Sequence, residues 1–466
     1  MAHVPYSRTD IPISYACDVL VAGGGLGGIA AAVSAARAGA DTILLERNMF
    51  LGGVATAGHC CSIFNCFYTE DQRQAVNGVA FELTNRLAEC AGPGLRWQKH
   101  RGHIIYDVEL GKLTLHEFLS EAGVRLLLGS FLSDVLVENG TVQGAIFTGR
   151  CGLEAILCKR LVDATGDADA AYLAGAPLKT DFGRASYVFR IGGVDVDRFV
   201  DYLLAEHQYP DHIDVNWSTE EAVAQYRECG TLLFPHGGGR HLVRVQRAIA
   251  EGRLAARIGE QTHIDALQMH AIRRSGTVHI ITGFFTPRSL ASEELARHTL
   301  EGKRMAVSVS RFFREEMPGF ENSFLCSTAE DVGIRTSRYI DGEFVYEDEM
   351  RKTPSRFADA IGKSLIVTDR KLFSENSWKA QCSGEDCCEI PLRALLPRSP
   401  AGLIMGSGRS ISARSPGYMR VMVNTMVVGQ GAGIAAAVSA RNGTSIPSTD
   451  YADIRAELVR QHVFEE

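Results

Sequence analysis

The chain has 466 residues, 45% apolar and 22% charged, with 48 Lys and Arg against 55 Asp and Glu for a formal net charge of −7. This length suits two or three domains, or one carrying a large insertion, and the composition is that of a globular chain rather than a disordered or fibrous one. The acidic balance argues against a broad nucleic-acid surface, and no run reaches the ~18 apolar residues of a membrane span.

The opening segment MAHVPYSRTDIPISYACD lacks the basic-then-apolar layout of a secretory leader, so a cytoplasmic location is expected. The twelve cysteines then read as reduced thiols. An apolar strand is predicted over Asp18–Ala22, followed by Gly23-Gly24-Gly25-Leu26-Gly27-Gly28, an Ala-rich helix closed by Gly39, and a second strand over Thr42–Leu45 with Glu46 at its end. G-x-G-x-x-G carries meaning in this strand–turn–helix context. Gly23 permits the tight turn, Gly25 lets the backbone approach a pyrophosphate, and Gly28 lets the helix lie close on the strand. Leu26 opens the helix, whose free N–H groups and positive dipole end suit phosphates. Glu46 follows Gly28 by 18 positions, near the ~20-residue spacing of an acid that binds a ribose hydroxyl. An adenine dinucleotide is the ligand implied, and the glycines alone do not choose between a flavin and a nicotinamide.

Glu46-Arg47 is followed by Gly52-Gly53 and a small-residue stretch to Gly58. Here the chain resembles the FAD-binding segment of glutathione-reductase-like flavoproteins, where a second glycine pair lies against the extended cofactor. A helix over Leu113–Glu121 comes next, and then a strand meander with Asn139-Gly140 as a hairpin turn. The meander, which contains Leu132, ends in Asp163-Ala164-Thr165-Gly166-Asp167-Ala168-Asp169. Ala164, Thr165 and Gly166 resemble the second FAD-contacting segment of the same class; a plain turn is the alternative. From about 175 to 390 the elements alternate less regularly. Ser292 is read as the N-cap of a long amphipathic helix that stops at Met317-Pro318-Gly319. His236-Gly-Gly-Gly-Arg240-His241 follows no β-α-β pattern and is read as a loop, so no second dinucleotide domain is expected. Near the end, IPLRALLP precedes a glycine turn at Gly406 and Gly408-Arg409, and a small-residue helix is predicted from about Gly417 to Ala440.

These segments, with GIRTSRYIDGEF and GSGRSISARSPGYMRVMVNTMVVGQGAGIAA, resemble the FAD-dependent oxidoreductase family from about residue 17 to 442. The group is distantly similar to the flavoprotein subunits of fumarate reductase and succinate dehydrogenase. The resemblance implies an α/β fold: a Rossmann-like FAD-binding domain of the glutathione-reductase type with an inserted α+β cap or substrate domain. The boundaries implied are 1–174 and 391–466 for the FAD domain and 175–390 for the cap. It implies one FAD per chain, contacted by Gly23, Gly25, Leu26, Gly28, Glu46, Arg47, Gly53, Leu132, Ala164, Thr165, Gly166, Gly408, Arg409 and Arg420. Arg409 stands where other flavoproteins have Gly-Asp, which would bring it to the pyrophosphate. The last helix would aim its N-terminus at the flavin pyrimidine.

Hydride transfer at flavin N5 needs close approach, a dry site and often an acid or base. Two residues are candidates. His59 is a general base or a covalent flavin attachment point, with a neutral hydrogen-bonded imidazole as the bland alternative. Arg335, in the cap, clamps a substrate carboxylate, or else forms a bracing salt bridge. Cys60-Cys61-x₄-Cys66 and Cys382-x₄-Cys387-Cys388 match no cluster spacing; buried free thiols are the default and a redox disulfide or metal ligation the alternative. No metal is expected. The partners expected are a small-molecule substrate and a separate electron donor or acceptor, with no nucleic acid and no membrane; a homo-oligomer stays open. The activity expected is that of an FAD-dependent oxidoreductase. The alternatives are an electron-transfer flavoprotein subunit and a non-redox, FAD-scaffolded RNA-modifying or RNA-binding protein.

Overall fold

A computed structural model describes residues 10–64, 66–69, 73–90, 103–208, 219–235, 237–351, 355–365 and 387–465. Cys382 and His236 lie outside the described residues.

The first strand, β1 (Ile13–Ala22), is longer than the sequence suggests and buried along its C-terminal half. It leads through Gly23 into α1 (Leu26–Arg37) and then β2 (Thr42–Leu45). β1 and β2 pair in parallel, with Val19 opposite Thr42 and Ala22 opposite Leu45. Both strands are covered on both faces, which explains their continuous apolar runs. Arg125–Leu127 extends the sheet beyond β2, and Gly152–Asp163 pairs in parallel with the other side of β1. Leu403–Met405 joins the end of Gly152–Asp163, also in parallel. The antiparallel meander Phe131–Glu138, Thr141–Gly149 and Gly152–Asp163 completes this sheet. Its first hairpin turns at Asn139 (φ 49°) and Gly140 (φ 72°), both left-handed as a tight primed turn requires.

The helix Met422–Asn442 lies against α1. A Cβ on Gly429 would fall 2.0 Å from the Gly27 carbonyl oxygen, and one on Gly433 2.1 Å from that of Ala31. Only side-chain-free positions permit this approach, so the small residues of the two helices are a packing requirement. Among the described residues this is the one helix long and apolar enough to cross a membrane, and 94% of its apolar window is buried inside the protein. It begins at Met422 rather than Gly417, which belongs to a short turn, Pro416–Tyr418. The earlier helix runs Val108–Glu121, starting ahead of the expected Leu113 because Asp107 accepts the N–H groups of Glu109 and Leu110.

A second sheet is antiparallel, in the order Thr231–Phe234, Gln268–Ile272, Thr277–Phe285, Ala185–Gly192, Phe324–Thr328. The helix Ser292–Glu316 covers it with Met305, Val309 and Phe313 buried. Ser292 is not its N-cap. Ala291 holds that position without a side-chain bond, while Glu294 accepts from the Arg288 N–H and the Ser289 hydroxyl. The core of this body runs from Ala185 to Val332. Ile340, Tyr346, Ile361 and Ile390 instead pack with the first core. The inserted body therefore ends some fifty residues before 390, and the described part of the following stretch belongs to the first body. Its strands show why: Arg338–Ile340 pairs with Leu178–Thr180, and Ala360–Ser364 with Cys388–Pro391. These strands are short, half-exposed at Arg338–Ile340 and mostly buried at Ala360–Ser364 and Cys388–Pro391, and they make no separate core.

Candidate functional site

Gly23 takes φ 104°, and a Cβ there would fall 2.6 Å from the Ala164 carbonyl oxygen. A Cβ on Gly28 would lie 1.8 Å from the Gly23 carbonyl oxygen. At Gly25 the reverse holds: a Cβ would meet no atom within 4 Å. Gly23 and Gly28 are thus glycine for the protein's own packing, and Gly25 opens onto space at the start of α1. No side chain caps that helix and its first turn holds no acid, so its N–H donors face this space. Gly52 bridges Gly25 and donates to the Gly24 carbonyl at 2.8 Å, and Gly53 packs against Gly25. Glu46 is buried beside the turn. Its carboxylate accepts the Gly24 N–H at 2.7 Å and the Asn48 N–H at 2.8 Å. The Asn48 side-chain amide donates to the same oxygen as the Asn48 N–H, at 2.8 Å, so Oε2 is the one that keeps a lone pair for a hydroxyl. The Glu46 carbonyl accepts from Ser130, two positions before Leu132, which is half-buried opposite Phe147. A cradle lined by backbone N–H donors, with a buried acid at one end, fits an adenine dinucleotide.

The second segment, Ala164-Thr165-Gly166, leaves the end of the strand beside β1. Ala164 donates to Ala22, and Thr165 donates to the buried Asp163 through both N–H and hydroxyl. Arg409 ties this segment to the inserted body. Its Nε donates to the Gly166 carbonyl at 2.6 Å, it pairs with Asp167 at 2.9 Å, and it donates to the Ile334 carbonyl. Gly408 sits so close to the Met419 carbonyl that a Cβ would lie 1.9 Å away. Arg47 forms an ion pair with Asp331 of the inserted body.

Arg335 lies in the segment that Arg409 holds, but its neighbours do the bracing. Ser337 donates to the Asp167 carboxylate, and Arg338 bonds the Asp167 carbonyl at 3.0 Å and pairs with Asp169. Arg335 has no carboxylate partner among the described residues; its guanidinium approaches the Arg184 carbonyl at 3.4 Å and lies 5.3 Å from the Phe284 ring centre. Burial pulls its pKa down to about 10, Cys60 opposing and Arg184 adding to the shift. Burial likewise pulls Arg420 down to about 9, with Arg335 adding to the effect. Both stay cationic at neutral pH. Arg420 precedes Met422–Asn442, whose N-terminus no side chain caps. Cys60 lies in the field of both arginines, yet burial outweighs them and raises its pKa, so the thiol is protonated.

His59 is 1% exposed and left-handed at φ 52°. Neither ring nitrogen has a hydrogen-bond partner among the described residues. The nearest carboxylate is that of Glu330, whose Oε2 lies 3.5 Å from Nε2. Burial lowers the His59 pKa to about 4, with Arg190 and Lys112 adding to the shift and Glu109 opposing. The imidazole is therefore neutral near pH 7. At 3.5 Å, with the carboxylate largely in water, Glu330 does not hold a proton on it. His279 Nδ1 meets the His59 carbonyl at 3.3 Å.

The geometry gathers the glycine turn, Glu46, Ala164–Gly166, Gly408 and Arg409 around one cradle, and Arg335, Arg420 and Cys60 at the seam of the two bodies. His59 stands beside Cys60 but turns toward Glu330 and His279. The cysteines described are free thiols, and no group of three or more His, Cys, Asp or Glu among the described residues is placed to hold a metal. Sequence reasoning missed Glu330, Asp331, Arg184 and the bracing by Ser337 and Arg338. The last two lie in the segment that singled out Arg335, whose alternation of polar residues gave no sign of which faced inward.

A model of the family described as FAD dependent oxidoreductase matches residues 18–458. A digeranylgeranylglycerophospholipid reductase of Methanothermobacter thermautotrophicus is 29% identical over 235 residues, 48% of this chain and 55% of that protein. The match thus spans about half the length of that relative. A putative bifunctional amine oxidase of Dictyostelium discoideum is 34% identical over 77 residues, 16% of this chain and 7% of its own. Among solved structures, a flavin-dependent brominase aligns with TM-score 0.44 and 12% identity, covering 96% of this chain and 85% of its own. A geranylgeranyl bacteriochlorophyll reductase-like protein of Thermoplasma acidophilum aligns with TM-score 0.41 and 14% identity, over 96% and 84%.

Proposed function

The chain belongs to the FAD-dependent oxidoreductase family, and from that premise we propose that it oxidises or reduces a small anionic or oxygen-rich organic molecule at the seam of its two bodies. FAD is the cofactor, and its N5 supplies the hydride donor or acceptor. The glycine turn and α1 bind the pyrophosphate, with Gly53 backing Gly25 and Glu46 taking the ribose. Ala164, Thr165, Gly166, Gly408 and Arg409 line the cofactor's path, with Leu132 near the adenosine end. Arg420 and the N-terminus of Met422–Asn442 favour negative charge near the flavin ring. Arg47 serves the cofactor only if it leaves Asp331. Arg335 grips the substrate with its planar fork, and His59 accepts or returns a proton.

One observation supports the substrate class above the rest: Arg335 is a half-buried cation with no carboxylate partner among the described residues, in a segment whose bracing falls to Ser337, Arg338 and Arg409. A cation drawn partly out of water without a counter-charge is disfavoured, and an anionic substrate supplies one. A separate electron donor or acceptor completes the cycle.

The test is anaerobic mixing of the yellow holoenzyme with a panel of carboxylates and hydroxy acids, and of the reduced holoenzyme with unsaturated acids. An isoprenoid phospholipid is included because the archaeal relative bears that name. A change in flavin absorbance with an anionic member alone supports the reading. Change only with the lipid assigns another substrate class, and change only with a reduced protein carrier favours an electron-transfer subunit.

A further inference from the structure

Glu330 and Asp331 are consecutive residues of the inserted body, and each reaches across the seam to a cation or base of the first body. Asp331 pairs with Arg47. Glu330 does two things. Its backbone N–H donates to the Ala57 carbonyl at 2.9 Å, which fixes its position over the His59 loop. Its carboxylate points Oε2 toward His59 Nε2 at 3.5 Å. The side chain of Glu330 is 45% exposed and that of His59 is 1% exposed. A carboxylate open to water thus meets an imidazole that is closed to it. His59 Nδ1 is buried and has no partner among the described residues. The charged and titratable groups facing this ring are Arg190 from the second sheet, Lys112 and Glu109 from Val108–Glu121, His279 from the adjoining strand, and Glu330. Of the two carboxylates, Glu109 is already engaged by Lys112 at 3.2 Å, and Arg190 lies 3.7 Å from it. Glu330 has no ion-pair partner other than His59 among the described residues.

We propose that Glu330 is the proton-exchange group of the site, joining bulk water to the buried His59 imidazole. This rests on the reading that His59 serves the flavin site, since His59 adjoins Cys60, which lies in the field of Arg335 and Arg420. In the oxidative direction Nδ1 takes a proton from the reacting group and the Nε2 proton passes to the Glu330 carboxylate. The carboxylic acid so formed releases that proton to water, and when the flavin is reoxidised the path runs in reverse: Glu330 returns a proton to Nε2 as Nδ1 gives one up, which restores the starting tautomer. One proton crosses, no heavy-atom bond changes, and no oxidant beyond FAD is needed. A buried imidazole without such an outlet would trap its proton after one turnover.

The test uses the FAD-loaded protein reduced with dithionite. Reoxidation of its flavin by O₂ takes up one proton, so its rate reads proton supply without knowledge of the substrate. Glu330→Gln is expected to keep the FAD content and melting temperature of the parent and to slow reoxidation roughly ten- to a hundredfold at neutral pH, within the range general acid–base groups contribute. Added acetate or formate should restore the rate, because the position is open to solvent, and Glu330→Asp should restore part of it. A parent-like rate and pH profile in Glu330→Gln would overturn the proposal. The ¹⁵N shifts of the His59 ring supply a readout independent of turnover. Glu330→Gln should change the balance of the two neutral tautomers, and an unchanged balance would also overturn the route. A protein that takes up no FAD would sink the functional reading instead, and the ¹⁵N comparison would still decide the Glu330–His59 contact.

Discussion

The glycine turn and the seam solve positioning in opposite ways. In the turn, backbone meets backbone: Gly28 against Gly23, Gly23 against Ala164, Gly429 against Gly27. In the seam, long side chains reach over distance: Arg409 to Ile334, Arg338 to Asp169, Arg47 to Asp331, Glu330 toward His59. The first kind of contact admits one residue type and fails steeply. The second admits substitutes and fails by degrees, which leaves it free to change with substrate.

The contrast is broken most sharply by adding side chains to the turn. Gly429→Val should lower stability by more than the ~1–3 kcal/mol of ordinary overpacking, because its Cβ would meet backbone rather than a movable side chain. Gly25→Val should keep the melting temperature of the apoprotein and lose FAD, since its Cβ enters open space. Thermal melts with and without FAD separate the two. A folded Gly25→Val protein with full flavin would remove the pyrophosphate from this turn.

The next effect is pH dependence. His59, lowered to about 4 by burial, and His279, lowered well below its ordinary value by burial, stay neutral in the folded protein while the unfolded chain protonates near 6.5. Between those values the unfolded state binds more protons, so stability is lost as pH falls below about 6.5. His59 accounts for at most about 3 kcal/mol of this by pH 4. His59→Asn, which tolerates the left-handed backbone, should flatten the curve of denaturation midpoint against pH; an unaltered slope would mean the ring is hydrated.

Glu46→Ala should weaken FAD binding roughly ten- to a hundredfold, at ~1.5–3 kcal/mol for bonds to a charged group. It should also loosen the turn through Gly24, so titration of the apoprotein should be paired with a melt. Arg335→Lys should slow flavin reduction by an anionic substrate and leave the melting temperature in place, whereas Arg338→Met should do the reverse. If both variants lose stability and neither loses rate, Arg335 belongs with the braces. The smallest effect is that of Asp331→Asn, which breaks an exposed pair and should cost less than ~1 kcal/mol. A gain in FAD affinity in that variant would show Arg47 released to the cofactor.

Much of the first body was legible because its constraints are local. The spacing from Gly23 to Glu46 encodes a strand, turn, helix and strand without help from elsewhere, and the glycines of Met422–Asn442 announce a close neighbour. The end of the inserted body was not legible. Arg338–Ile340 pairs with Leu178–Thr180, far away in sequence, and Ala360–Ser364 is a short strand whose burial against the first core depends on residues elsewhere in the chain. Arg335 was singled out by its motif, but that Arg338 and Ser337 carry the bracing depends on Asp167 and Asp169, which come from the other body. His59 was noticed for its place after the glycines; Glu330, whose carboxylate lies 3.5 Å from its Nε2, has no local signature.

The packing of Gly27 on Gly429 also sets an order of assembly. α1 is synthesised long before Met422–Asn442, the helix it must lie against. Until Met422–Asn442 leaves the ribosome, α1 has one face uncovered. The cofactor cradle is therefore completed only after this helix has been made. A ribosome stalled before residue 422 holds a chain that cannot yet retain flavin, and cofactor capture reports that synthesis has passed this helix.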